Sequence, residues 1–383
     1  MGRTTGAGAA GASGRRQDPG SRQDPGGGQD PGSKQGPGGG PGRAHEPDDL
    51  HRGHRTGRWR RVLLASLITG ALVVPLSGAA RPEIPAPAPA ALAPVTAVTL
   101  DEAYAANRAN AAEAARMAAA HGDRERAAAD RAMADPSRRF LSFDGRGAGL
   151  ATEVFGDLAD ADRIAVLVPG SDTSIDTYGR FRTAARALHE RLVQEAPRGT
   201  RVAVVAWLGY ETPGTVSTTV TTAGRAEEAA PKLREFVRQL RALPDGGPKG
   251  RTGTRPHPPR TSLLCHSYGS VVCARAAAHL DVDDIALIGS PGTGSDTAAD
   301  LRTTARVWAA RGSDDWVAQV PHIRIDLLGT TVGFGTDPMS PSFGARVFAA
   351  GEGGHSDYFR PGSASLANLT RIVLGETAEV TRG

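Results

Sequence analysis

The chain has 383 residues, of which 39% are hydrophobic and 22% charged, and its net charge is +4. The charge is unevenly placed: residues 1–61 hold 11 Lys and Arg against 6 Asp and Glu, a charge of +5, and the remainder holds 34 against 35, a charge of −1. The part of the chain that can bury a core therefore has no basic field, and we predict no nucleic-acid partner.

The first 58 residues lack the apolar side chains that a folded core requires. They are dominated by Gly, Pro, Gln, Asp and Arg, and they repeat a Gln-Asp-Pro-Gly unit that starts at Gln17, Gln23 and Gln29. Segments of this composition bury too little apolar surface to offset the entropy lost on ordering. Residues 1–58 are therefore predicted to be a disordered arm.

Residues 59–80 have the pattern of an export signal. Basic residues precede the uncharged run Val62–Ala80, which ends in the small residues Ser77–Ala80. Pro75 interrupts the apolar run and favours a cleaved signal peptide, while the long charged front leaves an uncleaved signal anchor open. In both cases the arginines hold the N-terminus inside. The rest of the chain is predicted to be secreted or extracytoplasmic, with a membrane partner only if the segment is uncleaved.

Three further regions follow this signal. Residues 81–99 alternate Pro and Ala, which favours an extended linker. Residues 100–139 are rich in Ala with few helix-breaking residues, and we predict one or two helices that pack on the next domain. From 140 to 378, after an opening antiparallel pair, strand patterns alternate with helical patterns. This alternation predicts an α/β fold with a mostly parallel sheet flanked by helices.

The residues from Cys265 to Gly269 predict a nucleophile elbow. They read Cys-His-Ser-Tyr-Gly, follow the apolar run Thr261–Leu264, and precede a stretch that can continue as a helix. In the elbow of α/β-hydrolases a strand turns sharply into a helix, so that the central serine, here Ser267, is strained and exposed. Cys265 occupies the position where the usual motif has glycine.

A serine nucleophile needs a base and a partner that orients the base. In α/β-hydrolases these follow in the chain order Ser, Asp or Glu, His. Of the three histidines after Ser267, we predict His355 as the base, because it follows the strand-like run Ala345–Ala350 and a Gly-rich turn. The acid is predicted to be Asp315, in the turn after the preceding strand-like run, and its neighbour Asp314 stays open.

Acyl transfer also requires donors aimed at the developing oxyanion. The amide of Tyr268, directly after the nucleophile, is one predicted donor. The second is predicted to be the amide of Ser171, in the loop after the buried-strand pattern Arg163–Val168, where Gly170 permits an unusual backbone angle.

Six short segments spread along the chain carry a further signal. They are Phe140–Asp144, Val166–Gly170, Val205–Tyr210, His266–Ser270, Ile288–Gly292 and Gly354–Phe359. Together they resemble a family of secreted actinobacterial α/β-hydrolases that long carried the label of a domain of unknown function. The resemblance implies the α/β-hydrolase fold with an inferred triad, and it leaves the substrate undefined. The family's elbow usually opens with glycine, where this chain has Cys265.

Cys265 and Cys273 are the only cysteines. We predict that they are free, buried thiols, because a strand end and the second turn of the following helix seldom face each other at bonding distance. No metal cluster is predicted, and no cofactor is implied.

These patterns predict an exported serine hydrolase, specifically an esterase, that forms an acyl-enzyme from a small-molecule or lipid-like ester. Two alternatives stay open: a non-catalytic surface-binding protein on the same fold, and an acyltransferase that uses the same triad. The irregular stretch Trp316–Gly344 is predicted to form a substrate-binding cap.

Overall fold

The computed structural model describes residues 84–92, 95–215, 217, 222–243, 258–320, 325–327 and 330–383. Every described residue lies in the unit Arg81–Gly383. The predicted arm at 1–58 and the predicted export segment at 59–80 lie outside the described residues. Within the described ranges, no helix has both the length and the apolar character needed to cross a membrane.

The described residues form strands and helices in alternation. The strands are β1 (Phe140–Asp144), β2 (Leu150–Gly156), β3 (Arg163–Val168), β4 (Val202–Leu208), β5 (Arg260–His266), β6 (Asp284–Ile288), β7 (Arg306–Ala310), β8 (Ile325–Leu327), β9 (Thr330–Val332) and β10 (Arg346–Val347). The helices are α1 (Leu100–His121), α2 (Arg124–Met133), α3 (Tyr178–Glu195), α4 (Gly224–Arg241), α5 (Gly269–Ala276) and α6 (Ala364–Leu374).

Eight of these strands form one sheet in the order β1-β2-β4-β3-β5-β6-β7-β10. Strand β2 pairs antiparallel with both β1 and β4. The pairs β4-β3, β3-β5, β5-β6, β6-β7 and β7-β10 are all parallel. Strands β8 and β9 form a separate antiparallel pair. The predicted mostly parallel sheet with an opening antiparallel pair is confirmed.

Two apolar layers cover the sheet, one on each face. Strand β4 is buried along its whole length, and apolar runs of this kind are typical of parallel strands covered on both faces. In one layer, Leu233 of α4 and Val271 of α5 pack on the sheet. In the other, Leu188 of α3 and Leu369 of α6 do so. The helices therefore sandwich the sheet.

The segment predicted to be helical at 100–139 contains α1 and α2. The buried Asn107 side chain of α1 donates a hydrogen bond of 3.0 Å to the carbonyl of Phe140 at the start of β1. In α2, Arg126 is 3% exposed and donates two hydrogen bonds, of 2.7 and 2.9 Å, to the carboxylate of Asp176. Both helices are thus joined to the sheet domain by polar contacts.

The carboxyl ends of the parallel strands form the edge that matters for function. The loops after β3, β5, β7 and β10 all begin at this edge, where ligands bind in open α/β sheets. Strand β10 is shorter than the strand predicted over Ala345–Ala350, because Phe348 bridges to Arg382 and the Ala349 amide bonds to the Thr381 carbonyl near the C-terminus.

Candidate active site

Ser267 lies at the sharp turn between β5 and α5. Its φ angle is +53°, a left-handed value that costs a non-glycine residue about 1–3 kcal/mol. Two glycines make room for the turn. A Cβ atom on Gly269 would lie 2.5 Å from the carbonyl oxygen of Val168, and one on Gly170 would lie 2.6 Å from Cβ of Ser267. Ser267 is therefore strained, as predicted. It is not exposed as predicted: it is only 9% exposed, because the Gly170 loop packs closely against it.

Hydrogen bonds from the next strand hold this turn. The Ser267 amide donates to the carbonyl of Ile288, at the end of β6, over 2.9 Å. The buried hydroxyl of Ser270 donates to the Ser267 carbonyl and lies 2.8 Å from the hydroxyl of Ser290. The strained backbone is therefore fixed from both β6 and α5.

Cys265 and Cys273 form a disulfide, so the prediction of free thiols is wrong. Helix α5 starts only two residues after Ser267, and its second turn comes back over the end of β5. Both sulfur-bearing residues are fully buried in the same apolar layer, and their Cα atoms are 6.4 Å apart, a separation that a disulfide can bridge. The cysteine that replaces the usual elbow glycine thus joins the strand to the helix on either side of Ser267.

Asp315 and His355 meet across the loops after β7 and β10. His355 Nδ1 lies 2.9 Å from Oδ1 and 3.1 Å from Oδ2 of Asp315. Asp315 is 2% exposed. Asp314, in contrast, is exposed, and its carboxylate contacts the hydroxyl of Ser313 at 3.3 Å. Of the two carboxylates that the sequence left open, the structure places Asp315 against the histidine.

Three donors surround the Asp315 carboxylate. Besides His355, the Val317 amide donates to Oδ1 over 2.9 Å, and the hydroxyl of Tyr358 donates to Oδ2. Burial by itself raises the pKa of Asp315, but the hydrogen bonds from His355, Tyr358 and Val317 outweigh it and lower the pKa below its ordinary value. The carboxylate is therefore ionised at neutral pH, and His355 carries its proton on Nδ1. This leaves Nε2 as the basic nitrogen.

Tyr358 and Gly289 shape the pocket around this carboxylate. Burial, followed by its hydrogen bond to Asp315, raises the pKa of Tyr358, so the phenol stays protonated and donates. Gly289, directly after β6, has a φ of +56°. A Cβ atom there would lie 2.8 Å from Oδ2 of Asp315. Neither residue was predicted as part of the site, although Tyr358 lies only three positions after His355.

His266 connects the turn that carries Ser267 to the loop that carries His355. Its Nε2 lies 2.7 Å from the carbonyl oxygen of His355, and because a carbonyl only accepts, Nε2 carries the proton. The two imidazole centroids are 4.6 Å apart. Burial, followed by the proximity of His355, lowers the pKa of His266 to about 4. His266 is thus a neutral donor that positions the His355 loop, a role that sequence reasoning missed.

We expect this partly buried histidine to make the folded state sensitive to acid. An unfolded histidine titrates near 6.5, so between pH 6.5 and about 4 the unfolded chain binds more protons than the folded one, and stability falls as the pH is lowered. His266→Gln keeps a donor for the carbonyl but cannot titrate. Denaturant unfolding at pH 4.5 and 7.5 should show a smaller acid loss in the variant, by up to about 3 kcal/mol. Equal losses in both proteins would contradict this assignment.

The contact between His266 and the His355 carbonyl also bears on Ser267, the predicted nucleophile. Ser267 directly follows His266, so the turn that carries Ser267 is joined to the loop that carries His355 by the bond from His266. Within the described part of the chain, no hydrogen bond joins the Ser267 hydroxyl to the His355 ring. Such bonds are often long in structures without substrate and shorten in the reacting complex.

The two predicted oxyanion donors flank Ser267. Within the described ranges, neither the Tyr268 amide nor the Ser171 amide donates a hydrogen bond. The Tyr268 hydroxyl donates to the carbonyl of Thr222, just before α4, over 2.7 Å. On the other loop, Asp172 has a φ of +56°, and its amide donates to the Pro213 carbonyl over 3.0 Å. The geometry therefore leaves two amides available beside the nucleophile.

No metal-binding group of three or more His, Cys, Asp or Glu side chains occurs among the residues that the structure describes. The groups at this edge include the Ser267 hydroxyl, the hydrogen-bonded pair of His355 and Asp315 and backbone amides.

The sheet order, the elbow at Ser267 and the loops after β7 and β10 define an α/β-hydrolase fold. A protein family described as "Alpha/beta hydrolase" matches residues 144–325 of the chain. The matched range contains Ser267 and Asp315, and His355 lies beyond it.

Similar proteins in two mycobacteria are uncharacterized. One from Mycobacterium tuberculosis is 27% identical over 263 residues, covering 61% of this chain and 38% of that protein. One from Mycobacterium bovis is 31% identical over 153 residues, covering 38% of this chain and 53% of that protein. The chain thus spans less than two thirds of the length of these relatives.

Two solved structures are also similar to this chain. The esterase PE8 is 18% identical with a TM-score of 0.38, covering 60% of this chain and 99% of that one. An α/β serine hydrolase without lid from Xanthomonas campestris is 18% identical with a TM-score of 0.36, covering 64% of this chain and 94% of that one.

Proposed function

We propose that this protein is a serine hydrolase that cleaves carboxylic esters through an acyl-enzyme. The observation that carries the proposal is the hydrogen bond between the buried Asp315 carboxylate and His355, whose loop contacts the strained turn of Ser267 through His266. The pair is the arrangement that activates a serine hydroxyl. An ester is the simplest substrate for such a site, since an alkoxide leaves more readily than the anion of an amine.

In the proposed reaction, Nε2 of His355 takes the proton of the Ser267 hydroxyl as its oxygen bonds to the ester carbonyl carbon. The Asp315 carboxylate stabilises the imidazolium that forms. The Tyr268 and Ser171 amides donate to the oxyanion. The imidazolium then protonates the leaving alkoxide as the ester C–O bond breaks. Water, deprotonated by His355, attacks the acyl-enzyme and releases the carboxylic acid and Ser267.

The stretch Trp316–Gly344 remains our proposed substrate-binding cap. Residues 321–324, 328 and 329 of it lie outside the described residues. In the part that is described, the Phe334 carbonyl accepts hydrogen bonds from the amides of Thr293 and Gly294, and the Phe334 ring packs edge-on against Tyr268 at 5.8 Å. These contacts support a cap anchored beside the nucleophile turn.

Export is also part of the proposal. The Cys265–Cys273 disulfide supports it, because disulfides persist in oxidising compartments and are rare in the cytosol. The membrane is proposed as a partner only if the segment at 59–80 is uncleaved, and no nucleic-acid partner is proposed.

The test is covalent labelling of the purified protein with a fluorophosphonate probe, compared with Ser267→Ala and Ser171→Ala. We expect wild type to be labelled and Ser267→Ala not to be labelled, because only an activated serine attacks the phosphorus. Ser171→Ala keeps the backbone amide that we assign to the oxyanion, so it should be labelled at a rate close to that of wild type. Circular dichroism on each protein checks that it is folded.

The two alternative functions give different results in this experiment. Folded wild-type protein that is not labelled would contradict the enzyme proposal and favour a non-catalytic binding role. Labelled protein that forms a new ester when an alcohol is added to the assay, with less free acid, would identify an acyltransferase.

A further inference from the structure

Trp316 is the most unusual side chain beside the proposed site. It is 48% exposed, and the other large hydrophobic residues that are similarly exposed in the described ranges, Val98 and Val193, are not part of the site loops. Its indole lies against the imidazole of His355, with ring centroids 4.8 Å apart and planes inclined by 51°. A single exposed apolar residue is common on protein surfaces. Trp316 differs because its exposed indole lies against His355, the proposed base, where a substrate could contact it.

The acid loop holds the indole in this place. Trp316 starts a short 3-10 helix, Trp316–Gln319, and Asp315 caps that helix by accepting the amide of Val317. Val317 is the buried residue of the turn, so the turn is attached to the core through Val317 and not through Trp316. The indole is therefore held near His355 without itself contributing to the core.

The chemistry of the proposed reaction determines which part of a substrate would reach this indole. The carbonyl oxygen must point toward the Tyr268 and Ser171 amides, and the leaving alkoxide must lie within reach of His355 Nε2, which protonates it. The alcohol portion therefore lies on the His355 side, where the exposed indole is. We infer that Trp316 binds the alcohol portion of the ester and favours apolar or aromatic alcohols. The inference rests on the proposed function.

The experiment compares wild type, Trp316→Ala, Trp316→Phe and Val193→Ala in two series of esters. One series shares a butanoyl group and varies the alcohol among methyl, butyl and benzyl. The other shares ethanol and varies the acyl chain. Val193→Ala is the matched control, because it removes an exposed apolar side chain from α3, outside the site loops.

We expect Trp316→Ala to lower kcat/KM for the benzyl ester about tenfold more than for the methyl ester, since aromatic contacts of this kind are worth about that factor. Trp316→Phe should keep most of the benzyl preference, and Val193→Ala should match wild type. Discrimination along the acyl series should be the same in all four proteins. Deacylation, measured after a burst on the butanoyl esters, should be unchanged because the alcohol has already left.

An equal loss of kcat/KM on every ester would show that the indole only shields His355, and would overturn the inference. Altered acyl discrimination, or slowed deacylation, would also overturn it, because the indole would then act on the acyl side. If wild type is labelled by the fluorophosphonate and cleaves esters but Trp316→Ala keeps its alcohol preference, only this inference fails. If wild type is neither labelled nor active on any ester, the inference falls together with the proposed function.

Discussion

Replacing Asp315 with asparagine is expected to lower kcat for ester hydrolysis by about 10⁴-fold, the size of effect seen when a triad carboxylate is replaced by an amide. The carboxylate oxygens accept from His355, Val317 and Tyr358. An asparagine has one acceptor oxygen, and its NH₂ group would face one of these donors. The histidine would then be held in the wrong tautomer or orientation.

Asp314→Asn is the matched control for this variant. It makes the same chemical change one residue away, at an exposed carboxylate that does not contact His355. We expect its kcat to stay within about twofold of wild type, because this exposed side chain contacts Ser313 and surface substitutions usually change stability by no more than about 0.5 kcal/mol. Steady-state kinetics on one ester and the rate of fluorophosphonate labelling both measure the effect. A large loss in Asp314→Asn with little change in Asp315→Asn would reverse the assignment of the acid.

Loss of the Cys265–Cys273 disulfide is expected to lower the free energy of unfolding by about 2–3 kcal/mol, the chain-entropy value for a loop of this size. The two cysteines are eight positions apart in the sequence. The comparison is between wild type and a Cys265→Ala/Cys273→Ala double variant, each unfolded in urea with and without a reductant. Alanine is used because both positions are fully buried and a serine hydroxyl there would lack a partner.

The reductant separates the disulfide from the change in packing. Wild type should lose stability when the reductant is added, whereas the double variant should unfold at the same urea concentration in both conditions. Because Cys265 lies two residues before Ser267, reduced wild type should also label more slowly with the fluorophosphonate. An oxidised wild type whose unfolding midpoint does not respond to the reductant would contradict a stabilising disulfide.

Much of the sheet domain follows from local pattern. The predicted buried strand at Arg163–Val168 has the same bounds in the structure, because apolar pattern and flanking loop residues act over a few positions. The bounds of strand β10 and the disulfide could not be predicted from local pattern. Both depend on chain segments that meet only after folding, as in the bridge from Phe348 to Arg382.

The candidate site shows the same division. The order of Ser267, an acidic turn and His355 along the chain is a local and sequential signal, and it was sufficient to nominate the three residues. That signal did not decide between Asp314 and Asp315 as the acid. Adjacent residues in a turn point in different directions, and only the packed neighbours show which of the two is buried. His266 could not be assigned a role, since its partner is the backbone carbonyl of a residue 89 positions away.

The sequence by itself determined the alternation of strands and helices, the strained turn at Ser267 and the chain order of the proposed catalytic residues. These depend on side-chain size, backbone preference and periodicity within short segments. Only the tertiary structure decided that Asp315 faces His355, that the two cysteines pair, that His266 holds the base loop and that Trp316 lies exposed on the imidazole. Each of these contacts forms only when strands, helices and loops pack together, and its geometry depends on that packing and not on any local pattern.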